Sequence, residues 1–247
     1  MSIQSQADVN GMRRVGATVA AILKEMCACV RPGMTTAALD RIGARAMTRL
    51  GARSAPRLMY GFPGFTCISV NQEIVHGVPG DRRLKPGDVV KIDVTAEQDG
   101  YIADAARTVI LEPSSPEAAR LHRTAVVALD EALRAARAGE RVSAIGRAVE
   151  RRAHRDGFAV VRELCGHGVG RAIHEEPSVP NYESRFSRDI LTEGLVIAVE
   201  PMLSVRRTPP VQMPDGWTIR TADGSLAVHE EHTIIITGER PIVVTAA

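Results

Sequence analysis

Residues 30–51, VRPGMTTAALDRIGARAMTRLG, and residues 136–157, ARAGERVSAIGRAVERRAHRDG, align without a gap. Arg31 falls on Arg137, Gly33 on Gly139, Arg41 on Arg147, Arg49 on Arg155 and Gly51 on Gly157. Two amphipathic helices can match this well by chance. The turn glycines, however, keep the same offsets at both ends, which favours two related α+β halves lying side by side. The expected architecture is a single α+β domain over residues 1–247, with internal halves of about residues 1–111 and 112–247. Their sheets should pack together with the helices outside, leaving a site at the junction.

Reading outward from the repeat, Met12, Val15, Val19, Ile22 and Met26 recur every three or four residues, and Pro32 and Gly33 stop the pattern, so a helix precedes the first copy. A second helix, capped by Thr35 or Thr36, ends at Gly51. Residues 52–111 switch to short β-rich runs, including FTCISV, EIVHGV, DVVKIDV and IADAARTVIL, separated by Pro-Gly and Asp-Gly turns. Helical periodicity returns after Ser115-Pro116 and closes at Gly139. A further helix runs from about Val142 to Asp156, and the rest of the chain is β-rich.

Composition excludes several functions. At 247 residues and 45% apolar content the chain can bury a sizeable core. A net charge of +2 built from interspersed charges and only 3% aromatic residues argue against a nucleic-acid substrate. Cys27, Cys29, Cys67 and Cys165 match no zinc spacing and read as reduced thiols. The opening MSIQSQADVNGMRR has no apolar signal region and no run is long enough for a membrane span, so a cytoplasmic protein is expected.

The stretch KIDVTAEQDGYIADAARTV, residues 91–109, puts Asp93 and Asp104 in two strands that otherwise read as buried. A hairpin loop centred on EQDG brings both carboxylates to one face in either of its two registers, and like charges that close need a proton or a cation between them. In CGHGVGRAIHEEP, residues 165–177, the alternating glycines let the backbone approach something closely and the segment carries His167 and His174. Glu200 ends the apolar run VIAVE and Glu231 begins the run EHTIII. Each alone is more often a solvated strand end. Together, two Asp, two Glu and one His beside buried strands point to a shared cation site. An oxygen-rich set with one imidazole suits manganese, ferrous iron or cobalt better than a closed structural zinc, and four carboxylates can hold two ions roughly 3.5–4 Å apart.

The chain resembles the type I methionine aminopeptidases of the pita-bread metallopeptidase fold. The resemblance is carried by SVNQEIVHGVP, KPGDVVKIDV, DGYIADAARTV, GHGVGRAIHEEP, VIAVEPML, DGWTIRT and EEHTIIIT, in that order and over nearly the whole chain. It implies removal of N-terminal methionine from nascent proteins and peptides with a small second residue, by two divalent ions sharing a water. Asp93, Asp104, His167, Glu200 and Glu231 would be the ligands, with Asp104 and Glu231 bridging. His76 and His174 would contact the scissile amide, and Glu200 would shuttle the proton. Phe62, Cys67, His76, Ile173, His174 and Trp217 would receive the substrate. Ile173 stands where the family often has an aromatic and Thr95 where glycine is common, so these two bear on specificity. The resemblance also implies a monomer, with transient ribosome contact left open.

Two rivals are weighed. A proline-specific peptidase of the same fold needs a large N-terminal domain, whereas only about 90 residues precede Asp93. A binding protein that has lost catalysis would be expected to lack ligands, and this chain retains all five and both histidines.

Overall fold

The computed structural model describes residues 1–184 and 188–246. It opens with α1 (Gln6–Cys29), α2 (Thr36–Arg49), β1 (Arg53–Ser54), α3 (Ala55–Tyr60), β2 (Cys67–Val70), β3 (Glu73–Val75), β4 (Val89–Gln98) and β5 (Tyr101–Ile110). It continues with α4 (Pro116–Ala135), α5 (Ser143–Arg155), β6 (Ala159–Val160), β7 (Cys165–Gly168), β8 (Glu175–Pro180), β9 (Val196–Val199) and β10 (Met202–Ser204). The last strands are β11 (Pro210–Gln212), β12 (Ile219–Thr221), β13 (Ala227–His229), β14 (His232–Ile235) and β15 (Ile242–Val243).

The architecture is α+β with antiparallel pairing in each sheet. One sheet pairs β4 with β1, β2 and β5, another runs β15-β14-β9-β7-β8, and two smaller ones run β13-β10-β6 and β11-β12-β3. One apolar core packs α1 and α2 on β2, β4 and β5 through Val15, Ile22, Leu39, Ile68 and Ile92. The other packs α4 and α5 on β9 and β14 through Leu121, Leu129, Ile145, Ile197 and Ile234.

The sequence repeat is matched by repeated hydrogen bonds. Gly33 N donates to Leu84 O (2.7 Å), and Leu84 N returns a bond to Met34 O (2.8 Å). At the equivalent positions Gly139 N donates to Leu191 O (2.8 Å), and Leu191 N to Glu140 O (2.8 Å). Thr36 N to Arg82 O corresponds to Val142 N to Asp189 O, both 3.0 Å, and Ala52 N to Met47 O corresponds to Phe158 N to Ala153 O, both 2.9 Å. Gly33 and Gly139 have φ of 86° and 89°, a conformation that is strained for any residue with a Cβ, so the paired glycines reflect backbone geometry.

Three boundaries differ from expectation. α1 begins at Gln6 rather than near Met12, because Ser5 caps it by accepting a bond from Asp8 N, and its first turn presents little apolar periodicity. α4 ends at Ala135, four residues before Gly139, and Ala138 N and Gly139 N bond outward to Thr237 O and Leu191 O. α3 lies inside the region read as β-rich; Pro56 starts it and the left-handed Gly61 stops it.

Candidate metal centre and substrate cavity

The β4–β5 hairpin closes through Asp99 and Gly100, with φ of 53° and 79°, the left-handed pair that a two-residue hairpin loop requires. Gln98 therefore pairs with Tyr101 and Thr95 with Asp104, leaving Asp93 two residues farther along the same face, opposite Ala106. The second sheet is fastened beside this hairpin. Thr233 and Asp104 exchange bonds, Asp104 N to Thr233 Oγ1 (2.9 Å) and Thr233 Oγ1 to Asp104 O (2.8 Å), and Glu231 N donates to Ala106 O (3.0 Å). Two neighbouring acids in the break between β13 and β14 then face different ways. Glu230 turns away to accept from Thr108 N and pair with His122, whereas Glu231 turns toward Asp104.

The strand β7, which the glycine content hides, brings His167 to the same place. A Cβ on Gly166 would lie 2.3 Å from Ala198 O, and one on Gly168 2.2 Å from Glu176 O, so only glycine admits the neighbouring strands. The backbone approach expected from the alternating glycines is thus made by β9 and β8. His167 Nδ1 bonds Gly168 O at 2.9 Å, which leaves Nε2 to the acidic cluster, 3.5 Å from Glu200 Oε1. Glu200 sits in the turn between β9 and β10, where Asn181 Nδ2 bonds its carbonyl.

One cavity of about 360 Å³ gathers Asp93, Asp104, His167, Glu200 and Glu231 with His76, His174, Phe62, Cys67, Ile173 and Trp217. All eleven residues singled out from sequence line it. Asp104, His167, Glu200 and Glu231 are buried, and donor atoms of Asp104, His167 and Glu231 lie within 4.8 Å of one another. Phe62 meets Trp217 edge to face at 5.2 Å. His76 holds φ of 55°, uncommon for a non-glycine residue, and stands just after β3.

The electrostatics fit divalent cations. Asp93 Oδ1, Asp104 Oδ1 and Glu231 Oε1 are enclosed yet have no hydrogen-bond partner among the described residues, and such oxygens are costly without a proton or a metal. Burial, reinforced by the neighbouring carboxylates, pushes the Asp93 and Glu231 carboxyls well up, and burial lifts Glu200 to about 8. Burial also holds His76 down and lowers His174 to about 4, so His174 is a neutral imidazole at neutral pH.

Several lining residues escaped the sequence reading. His229 is 2% exposed, has no hydrogen-bond partner on either ring nitrogen among the described residues, and sets Nε2 3.3 Å from Glu200 Oε2 and 3.7 Å from Glu231 Oε2. Its only signal in the sequence is its position two residues before Glu231. Tyr60, at the end of the unexpected α3, and Met202 also line the cavity.

The sequence pattern of metallopeptidase family M24 matches residues 10–238. The chain belongs to metallopeptidase family M24. It is 40% identical over 247 residues to methionine aminopeptidase 2 of Bacillus subtilis (strain 168), covering 99% of each chain. To methionine aminopeptidase of Escherichia coli (strain K12) it is 38% identical over 239 residues, covering 96% of this chain and 90% of the relative. The crystal structure of methionine aminopeptidase from Thermotoga maritima superposes with a TM-score of 0.96 at 33% identity, covering 100% of both chains. The family read from the motifs and the expected pita-bread fold both agree with these relatives. As an M24 member the protein is a metal-dependent peptidase, and none of its helices among the described residues is long and apolar enough to cross a membrane.

Proposed function

We propose that this protein removes N-terminal methionine from nascent polypeptides and peptides whose second residue is small. The observation that carries the reading is the convergence of four carboxylates and an imidazole, with oxygens left unpartnered, on a cavity walled by apolar side chains. Asp93, Asp104, His167, Glu200 and Glu231 would hold two divalent ions, of manganese, ferrous iron or cobalt. Such ions supply Lewis acidity and a water acidified toward neutral pH.

The chain's own groups account for the other roles. Glu200, which lines the cavity beside the other carboxylates, would accept a proton from water and return it to the leaving amine. His174, neutral at working pH, can donate a hydrogen bond to the carbonyl oxygen as charge develops there. His76, held in its uncommon backbone conformation, would orient the peptide bond. Phe62, Cys67, Ile173 and Trp217 would enclose the methionine side chain, a burial worth about 1.5–3 kcal/mol. We read the protein as a cytoplasmic monomer on the same basis.

The deciding experiment is release of free methionine from a Met-Ala-Ser peptide by protein reconstituted with manganese or cobalt. Turnover should vanish with a chelator and with Nα-acetylated peptide, and fall when the second residue is bulky. Equal hydrolysis of the acetylated peptide would replace the aminopeptidase reading with an endopeptidase. No hydrolysis at saturating metal would replace it with a binding protein.

A further inference from the structure

The helix α3 delivers one polar group to the cavity. Its last residue, Tyr60, stands before the left-handed Gly61, lines the cavity and remains 47% exposed at its edge. The phenol oxygen lies 2.9 Å from Nδ1 of His174, and the two rings stack with centroids 5.7 Å apart and planes 22° from parallel. The opposite neighbour of the imidazole is the His167 ring, edge-on at 4.4 Å, which offers no hydrogen bond. Among the described residues Tyr60 is therefore the hydrogen-bond partner of His174.

That single bond decides what His174 can do. A neutral imidazole carries one N–H and one lone pair, and the partner of one nitrogen fixes which is which. A phenol hydroxyl is a good donor and the imidazole lone pair the better acceptor of the two groups, so the pair is stronger with Tyr60 donating to Nδ1. The proton then sits on Nε2, and the imidazole presents a donor to the cavity. With the proton on Nδ1, the cavity would meet a lone pair that repels a carbonyl oxygen.

We propose that Tyr60 is a positioning residue that holds His174 in the Nε2–H tautomer, so that the imidazole can donate to the scissile carbonyl. The inference rests on the aminopeptidase reading for its use, but not for its geometry. The loop bearing His174 is braced independently, because Glu175 Oε1 accepts from Arg171 N (2.7 Å) and Ala172 N (2.8 Å). Removing the hydroxyl therefore should change the tautomer without displacing the loop.

The test uses metal-free protein labelled with ¹⁵N at histidine, whose two-bond ¹H–¹⁵N correlations distinguish the tautomers at pH 7.5, with the His174 signals assigned by loss in H174Q. The wild type should show Nε2–H. Tyr60→Phe, which keeps the stacked ring, should show a mixture or Nδ1–H, and Tyr60→Leu should match it. In the manganese-loaded enzyme Y60F should lower kcat about tenfold with KM within about twofold, the size of one lost hydrogen bond. It should have no further effect in an H174Q background. An Nδ1–H wild type, or an unchanged tautomer in Y60F, overturns the assignment whatever the activity. A tautomer change in a protein that releases no methionine upholds it and overturns the aminopeptidase reading instead.

Discussion

Replacing Glu200 by glutamine should make the metal-free protein progressively more stable than the wild type as pH rises. The glutamate titrates at about 4.5 when solvated and at about 8 in the folded site, with burial as the main cause. A carboxyl whose folded value is raised contributes its full stability below the unfolded value and loses it as pH climbs through the folded value. Between those limits the wild type loses about 1.4 kcal/mol per pH unit through this group, so about 2.7 kcal/mol disappears from about pH 5.5 to about pH 7.5. Glutamine has no proton to lose. For a chain of this length the difference corresponds to roughly 5–11 °C in Tm. The buried Lys91, lowered to about 7, and the depressed His232 give pH slopes of the opposite sign and are common to both proteins, whereas Asp93 and Glu231, raised in part by the Glu200 charge, are relieved in the variant and add to the difference in the same direction. Calorimetry in chelator at the two pH values measures it. Saturating cobalt or manganese should close the gap at pH 7.5, because a ligand at about 100 times its Kd adds about 2.7 kcal/mol to the protein that binds it. A gap in Tm that stays constant or narrows with rising pH refutes the argument that Glu200 is held protonated by its surroundings.

Asp104→Asn should lower metal-dependent methionine release by at least about 100-fold, since loss of groups that only support a ligand already costs 10–100-fold; a peptide assay at saturating manganese checks it. Trp217→Ala removes the edge-to-face partner of Phe62 and should raise KM for Met-Ala-Ser about tenfold or more with a smaller change in kcat, as steady-state kinetics would report. Gly166→Ala forces a Cβ to 2.3 Å from the Ala198 carbonyl and should destabilise by at least about 1–3 kcal/mol, seen as a lowered denaturant midpoint or insoluble expression. Thr233→Val leaves Asp104 N without its acceptor inside the protein and should cost about 1–3 kcal/mol of stability, with weaker metal binding by titration calorimetry.

What the sequence revealed follows from what periodicity can see. The two aspartates were legible because a hairpin with an Asp-Gly turn has few registers and a period of two, so sharing a face follows from spacing alone. The strands β7 and β8 were hidden because glycine and proline suppress strand propensity, and the reason for the glycines is a neighbour's carbonyl, which no local pattern records. The helix α3 spans six residues, under two turns, too short to repeat an apolar face. Tyr60 went unseen with it. His229 lies two residues from Glu231, but its unpartnered nitrogens are visible only in three dimensions.

The frame and the chemistry differ in symmetry, and that difference explains where the site lies. The α2 and α5 units repeat turn glycines and the bonds around them, which is a property of backbone geometry and survives with little sequence identity. The acidic groups do not repeat in the same way. Asp93 and Asp104 come from a single hairpin, whereas His167 comes from within β7, Glu200 from the turn after β9 and Glu231 from the residue just before β14. The four carboxylates crowd one buried cavity, and they cannot all remain ionised beside one another without a cation. The burial that positions these carboxylates therefore also makes the metal-free site electrostatically unfavourable, and the exchange of bonds between Asp104 and Thr233 holds the two sets together despite that repulsion. A cation held among these carboxylates would relieve that repulsion, so affinity for the metal and the docking of the β4–β5 hairpin on the second sheet would be aspects of one free energy.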